Sequence, residues 1–571
     1  MMKRILIITT ALLITASLLM SACSTGKQKV SLIDGKKTEE STTLQPEAVT
    51  DFLRAEIYAE DGDKDKAIES IISALKYDPK AIYLHARLAY LYMENGNLTK
   101  AREEADKVAE SNTESEDALL AAAEIYSRMD QMDKSEEVYR RVIKLYPKDM
   151  RAYLILGLIY GSTNQNGKMV DLYRELVKEV PDQALGYYYL GLALSNMKKY
   201  DEAIEALEKA IQFNPDFEAA LFNLAKLYST INSAEKSETL FKKLLELNPN
   251  STAVQKALGE LYIDKKDYKT ALQFYQKLEY SQPDDPTVHS TLGMIYYTLG
   301  DFTNAIKYFG NSLKLNPFDN QSRLYLIAAL EESKQFELAL AEVKKILDED
   351  PDSTTALLHE SLIYQGLKEY SKAIDSVKKA READPDNKKL AFYLGLAQFK
   401  AEQFDEAEKS FKEAIEAEPD NPDYHFNLAT VYEKLGKFDD TVSELRAAIK
   451  FDENFATAYN YLGYLFADKG INLDESISLV KKALEKEPDN GFFLDSLAWA
   501  YFKKGNIDEA LKHILQAIKE EPDDPVINEH LGDIYMAKGE KENAIKSWEK
   551  SLKEDPKNTV VKDKLHKAQQ K

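Results

Sequence analysis

Thirteen of the 17 prolines in this 571-residue chain keep one 34-residue spacing. Pro79 begins it; Pro147, Pro181, Pro215, Pro249, Pro283, Pro317, Pro351, Pro385 and Pro419 follow, and Pro488, Pro522 and Pro556 resume it. Thr113 and Glu453 stand where two prolines are missing, and one extra residue near Gly470-Ile471-Asn472 accounts for the shift to Pro488. Proline lacks the amide hydrogen a helix interior needs, so a proline at constant spacing predicts a helix boundary at constant spacing. Of the remaining four, Pro286, Pro422 and Pro525 follow Asp285, Asn421 and Asp524. Those pairs predict a capping side chain followed by proline in the first helical turn. Pro46 precedes the first unit.

Other residues keep the same time. Tyrosine recurs at Tyr58, Tyr92, Tyr126, Tyr160, Tyr228, Tyr262, Tyr296, Tyr364, Tyr432, Tyr501 and Tyr535. Three residues earlier stands a small one, as at Gly157, Gly259, Gly293, Ala429, Ala498 and Gly532. A second small position falls nine residues after the tyrosine, as at Ala67, Ala101, Ala271, Ala305, Ala373, Ala510 and Ala544. Gly300-Asp301-Phe302 and Gly505-Asn506-Ile507 mark a turn between, with glycine ending one helix and Asp or Asn opening the next. Each unit therefore reads as two antiparallel helices drawn together at small residues. One such unit cannot bury both faces alone, so neighbours must stack. Ile327 and Met169 occupy the two small positions in their units and are expected to overpack them. Arg54 replaces a core leucine in the first unit, as an end repeat exposed on one side would permit.

A 34-residue helix–turn–helix unit with this pattern resembles the tetratricopeptide repeat. The resemblance implies an all-α chain, an α-solenoid superhelix of about fifteen repeats over residues 47–556, closed by a polar capping helix over 557–571.

The start of the chain reads differently. Met1-Met2-Lys3-Arg4, an apolar run from Ile5 to Met20, and Ser21-Ala22-Cys23 have the layout of a secretory signal peptide over residues 1–22. Small residues before the sole cysteine resemble the lipobox of bacterial lipoproteins, with Met20 where leucine is commoner. The resemblance implies cleavage before Cys23 and lipid on its thiol, and several acyl chains give durable attachment. Ser24, by resemblance to Gram-negative sorting, favours the outer membrane. The expected location is thus the cell envelope, lipid-anchored and facing the periplasm. Residues 23–46 lack an apolar pattern and read as a flexible tether.

No catalytic residue and no cofactor is expected. The formal charge of −22 disfavours nucleic acid and anionic lipid headgroups. The single cysteine excludes a disulfide framework within the chain. His85, His289 and His425 share one repeat position at multiples of 34, which spreads them out and gathers no metal site. GxGxxG, GxxxxGK[ST] and GxSxG motifs are absent, and the segment Gly161 to Gly167 keeps the repeat register as an inter-helix turn. The expected partners are proteins or peptides, with no small-molecule substrate.

In resembling proteins the first helix of each pair lines the concave surface. Here that face carries Tyr188, Phe222, Phe392, Leu396, Phe399, Phe426, Tyr464, Trp499 and Phe502, with the richest stretch over 388–502. Aromatics in such a groove suit polypeptide ligands, and they also pack between adjacent helices. The stretches Tyr461 to Asp468 and Asp495 to Tyr501 resemble a C-terminal segment of long repeat lipoproteins of Gram-negative bacteria. That resemblance implies an adaptor that binds a carboxyl-terminal processing protease and delivers cell-wall hydrolases to it. The alternative is an assembly component of an envelope machine for pili, exopolysaccharide export or outer-membrane insertion.

Overall fold

The computed structural model describes residues 45–570. They form 31 helices and, among the described residues, no strand. The helices alternate in pairs from Pro46–Glu60 with Lys64–Tyr77 to Pro525–Lys538 with Lys541–Glu554, and Thr559–Gln570 follows the last pair. The chain divides into two compact units, with the boundary between Ser281 and Gln282. The expected leader, Cys23 and the expected tether up to residue 44 lie outside the described residues. Pro46, read from the sequence as preceding the first unit, opens the first helix at one of its first two positions.

The periodic prolines end second helices, as expected. Directly after Tyr77, Leu145 and Glu179 come Asp78-Pro79, Tyr146-Pro147 and Val180-Pro181. The pre-proline residue is forced out of helical geometry, with φ near −130° at each. Asp285, Asn421 and Asp524 accept hydrogen bonds from the backbone amides of Thr287, Asp423 and both Val526 and Ile527. These are the caps anticipated from the Asp-Pro and Asn-Pro pairs. At the inter-helix turns Asp301 caps through the Asn304 amide, whereas Asn506 makes no side-chain cap.

Each turn between the two helices of a pair places a residue in the left-handed region. Seven are glycines, Gly62, Gly96, Gly300, Gly436, Gly470, Gly505 and Gly539. The same turn position elsewhere holds Asp130, Asn164, Lys198, Asn232, Lys266, Lys334, Lys368 and Glu402, with φ between 56° and 62°. A left-handed residue with a Cβ costs roughly 1–2 kcal/mol, so these turns are held by the packing of the helices they join. The turn with the extra residue has two such positions, Gly470 at φ 70° and Asn472 at φ 46°.

The small residues admit a large one from the partner helix sixteen residues later. A Cβ on Gly293 would lie 2.7 Å from Cδ1 of Phe309, and one on Gly395 2.8 Å from the Phe411 ring. Gly191 faces Leu207 and Gly532 faces Trp548 in the same way. Past the extra residue the spacing becomes seventeen, Gly463 against Val480. Ile327 at this position shares a core cluster with Val343, the smaller residue sixteen on, and both are fully buried. Met169, at the second small position, has its sulfur 3.5 Å from where a Cβ on Gly161 would sit. The volume added in each case is given back by a neighbour, which offsets the expected overpacking.

Four of the recurrent tyrosines use the hydroxyl to tie one pair to the next. Tyr126, Tyr160, Tyr228 and Tyr262 are buried and donate to Asp106, Glu136, Glu208 and Glu238 of the preceding pair at 2.7, 2.7, 2.8 and 2.7 Å. A phenylalanine would fill the same space without that tie. Lys134, Lys168 and Lys236, each eight residues on, lie over the same rings at 5.0 to 5.4 Å.

A second recurrent contact secures the loop between pairs. The side chain six residues after a periodic proline reaches back to that proline's carbonyl oxygen. His85, Tyr153, Gln255, His289, Arg323, His425 and Asn528 do so at 2.5 to 3.2 Å. This explains why three histidines share one repeat position: each closes a loop. In His85 and His425 the other ring nitrogen meets Glu104 at 2.6 Å and Glu444 at 2.5 Å. Two acceptors on one imidazole require two N–H groups. Hydrogen bonding to those carboxylates outweighs burial and raises both histidines above their ordinary range.

Candidate partner-binding face

Within each unit, several first helices of successive pairs touch, and Ala456–Lys469 packs directly on Gly491–Lys503. Helical spacing puts residues three before, one after and four after the small position on one stripe. In these two helices the stripes are Asn460, Tyr464, Ala467 and Asp495, Trp499, Phe502.

The structure distributes the sequence-selected residues unevenly. Phe392, Leu396 and Phe399 are half-buried against one core cluster. Phe392 packs on Tyr424 of the next repeat at 4.7 Å between centroids, and Phe399 meets Phe404 across its turn at 5.6 Å. Phe426 lies between Phe455 at 5.2 Å and Tyr461 at 5.6 Å. These rings contribute to packing between neighbouring repeats and show one edge outward. Tyr464 is 36 % exposed, and Phe492, at the start of the following first helix, is 52 % exposed. Tyr188 and Phe222 belong to the first unit, where Tyr188 packs on Phe217 at 5.0 Å and Phe222 on Phe241 at 5.6 Å. The face over 388–502 lies wholly in the second unit.

Trp499 is the most enclosed of the set, 8 % exposed. It is sandwiched between Phe502 at 5.0 Å and His530 of the next repeat at 4.0 Å, with the Lys503 ammonium 4.9 Å from its ring centre. Its indole Nε1 is buried with no hydrogen-bond partner among the described residues. His530 in turn pairs with Asp495 through Nδ1 at 2.8 Å, and both are buried. Burial opposes the imidazolium, but the Asp495 carboxylate outweighs it and His530 rises above its usual range. Beside them burial, then Asp468 and Asp495, push the Tyr464 hydroxyl up to about 12.

Sequence reasoning selected Trp499 and missed the ion pair behind it. The signal was available: Asp495 stands at the repeat position that holds Phe392 and Phe426, so a carboxylate had replaced an aromatic. The Trp548 region was also missed. Lys564 of the last helix pairs with Glu529 at 2.7 Å and Asp533 at 2.6 Å, and the Trp548 indole donates to Asp533 at 3.1 Å. Among the described residues no group of three or more His, Cys, Asp or Glu is arranged to hold a metal ion, and no helix is long and apolar enough to cross a membrane. The arrangement offers aromatic edges and fixed dipoles.

Family profiles described as Tetratricopeptide repeat match residues 58–116, 117–149, 184–217, 232–295, 290–354, 365–425, 398–462 and 496–559. No curated protein matches the chain. Among solved structures, the APC/C hetero-tetramer Cut9-Hcn1 is 15 % identical, covering 92 % of this chain and 96 % of that one, with a TM-score of 0.39. MamA is 23 % identical over 30 % of this chain and 93 % of its own, TM-score 0.27. YrrB, titled as a repeat protein with an unusual peptide-binding site, is 25 % identical over 32 % and 93 %, TM-score 0.27.

Proposed function

This chain belongs to the tetratricopeptide-repeat family, and from that premise we propose that it is a protein-binding scaffold, an adaptor held in the bacterial cell envelope by lipid on Cys23 and facing the periplasm. The observation that carries the reading is the face of the second unit. Helices that bury most of their apolar surface leave Phe492 and Tyr464 open beside the half-buried Phe399, Leu396 and Phe502. Exposed aromatic side chains on a rigid helical support suit a polypeptide partner: they bury much area and lose little rotamer freedom. A carboxyl-terminal processing protease or a cell-wall hydrolase is the proposed partner class, on the resemblance of the segments Tyr461 to Asp468 and Asp495 to Tyr501.

A photo-crosslinking residue at Phe492, compared with one at the exposed Lys519 on a second helix, tests the reading in living cells. Crosslinks to a protease or hydrolase from Phe492 alone support it. Crosslinks to pilus, exopolysaccharide-export or outer-membrane-insertion components favour the assembly-machine alternative, and equal labelling from both sites removes the face from consideration. Cys23→Ser should release the protein from membranes; continued membrane association would overturn the lipid anchor.

A further inference from the structure

Beside the last helix lies an open pocket of about 440 Å³. Phe502, Met536, Ala537, Trp548 and Ala568 give it apolar walls, and Asp533, Lys564 and Lys567 stand around it. It continues the proposed partner face, because Phe502 both stacks on Trp499 and lines the pocket.

The charges there are not equivalent. Both oxygens of Asp533 are engaged, one by the Trp548 indole and the other by Lys564. Lys564 also holds Glu529. Lys567 makes no ion pair or hydrogen bond among the described residues and is exposed. The unspent electrostatic capacity of the rim is therefore one positive charge above an aromatic and thioether floor.

We infer that this pocket receives one bulky apolar side chain of a bound polypeptide, with a neighbouring acidic residue of that polypeptide pairing to Lys567. The inference rests on the face being a polypeptide site and adds the identity of the residues it selects. A ligand bringing a cation would meet only carboxylates already satisfied, and a wholly apolar one would leave the Lys567 charge uncompensated at its edge.

The test uses the full chain and three twelve-residue serine–glycine peptides, containing at their centre a leucine–glutamate, a leucine–lysine or a serine–glutamate pair. Tryptophan fluorescence reports binding, since Trp548 forms a wall and the chain has 2 tryptophans. The leucine–glutamate peptide should bind at least tenfold more tightly than either of the others. Lys567→Glu should reverse the order of the two leucine peptides. Ala537→Trp, made at an exposed position on the rim, should abolish the preference for leucine with helicity unchanged. Equal affinities for the three peptides, no binding of the leucine–glutamate peptide at millimolar concentration, or an unaltered order in Lys567→Glu would each overturn the assignment. Selective peptide binding without partner crosslinking from Phe492 would sink the face as the partner site and leave the pocket standing; crosslinking without selectivity would do the reverse.

Discussion

Trp499 lies nearly parallel to His530, 16° between planes and 4.0 Å between centroids, so a side chain of one repeat is roofed by the next. The stack joins an aromatic on the proposed partner face to a buried ion pair with Asp495. Two kinds of side chain on that face must therefore be separated in any experiment, those that hold the repeats together and those that are free to meet a partner.

Trp499→Ala should act mainly on stability. Truncating a buried tryptophan costs roughly 3–5 kcal/mol, and the melting temperature should fall while the rest of the face is disturbed with it. Phe492→Ala removes a ring that is largely outside the core and should leave thermal unfolding within about 1 kcal/mol of wild type while weakening partner capture. Circular dichroism melts paired with quantified crosslinking separate the two; a large destabilisation by Phe492→Ala would show its ring to be a packing element.

Raising the pH should loosen the repeats that depend on charged histidines. His530, His85 and His425 are all raised in the folded chain, each by a carboxylate partner. A raised folded value means the stabilisation is complete below the unfolded value of about 6.5 and is lost as pH climbs through the folded one. Between pH 6 and pH 9 the wild type should therefore lose more thermal stability than His530→Gln, whose contribution at that site no longer titrates. Parallel pH profiles for the two proteins would show that the Asp495 pair adds nothing to stability.

The glycine at the close contact should be intolerant of bulk in a partner-dependent way. Gly293→Val would drive its side chain into Phe309 and should cost on the order of 1–3 kcal/mol. Adding Phe309→Ala should recover part of that loss, and the difference between the double and the summed single effects measures the contact. Strict additivity would mean the helices do not meet there.

The left-handed turns offer the opposite opportunity. Replacing Lys334, Lys368 or Glu402 with glycine relieves a strained φ, against the added backbone freedom of the unfolded chain. Each change should stabilise by about 0.5–1 kcal/mol, seen as a higher melting temperature. Asn164→Gly should do less, because asparagine tolerates this conformation.

Much of this was legible from spacing alone, and the reason is physical. Proline at a helix end and glycine under Phe309 or Phe411 perform tasks few other residues can, so their recurrence is visible in the letters. The loop contact to the proline carbonyl was not legible, because His85, Tyr153, Gln255, Arg323 and Asn528 all reach that oxygen. A task any donor of sufficient reach can perform leaves only a broken repeat, with His85, His289 and His425 standing among other letters. The turn geometry was half hidden for a related reason: packing holds lysine where glycine would sit without strain. On the partner face, the stripe of first-helix residues could be counted off, yet the burial of Trp499 depends on His530, a histidine shared at this repeat position only with His359.

The extra residue at Gly470-Ile471-Asn472 acts as an expansion joint. Both of its left-handed positions fall between helices, and the Gly463 to Val480 contact beyond it is restored one residue later in the count. Lengthening such a joint costs little chain entropy. That makes this turn the natural place to splice in a tag or a reporter: the numbering downstream shifts while the helices on either side keep their phase.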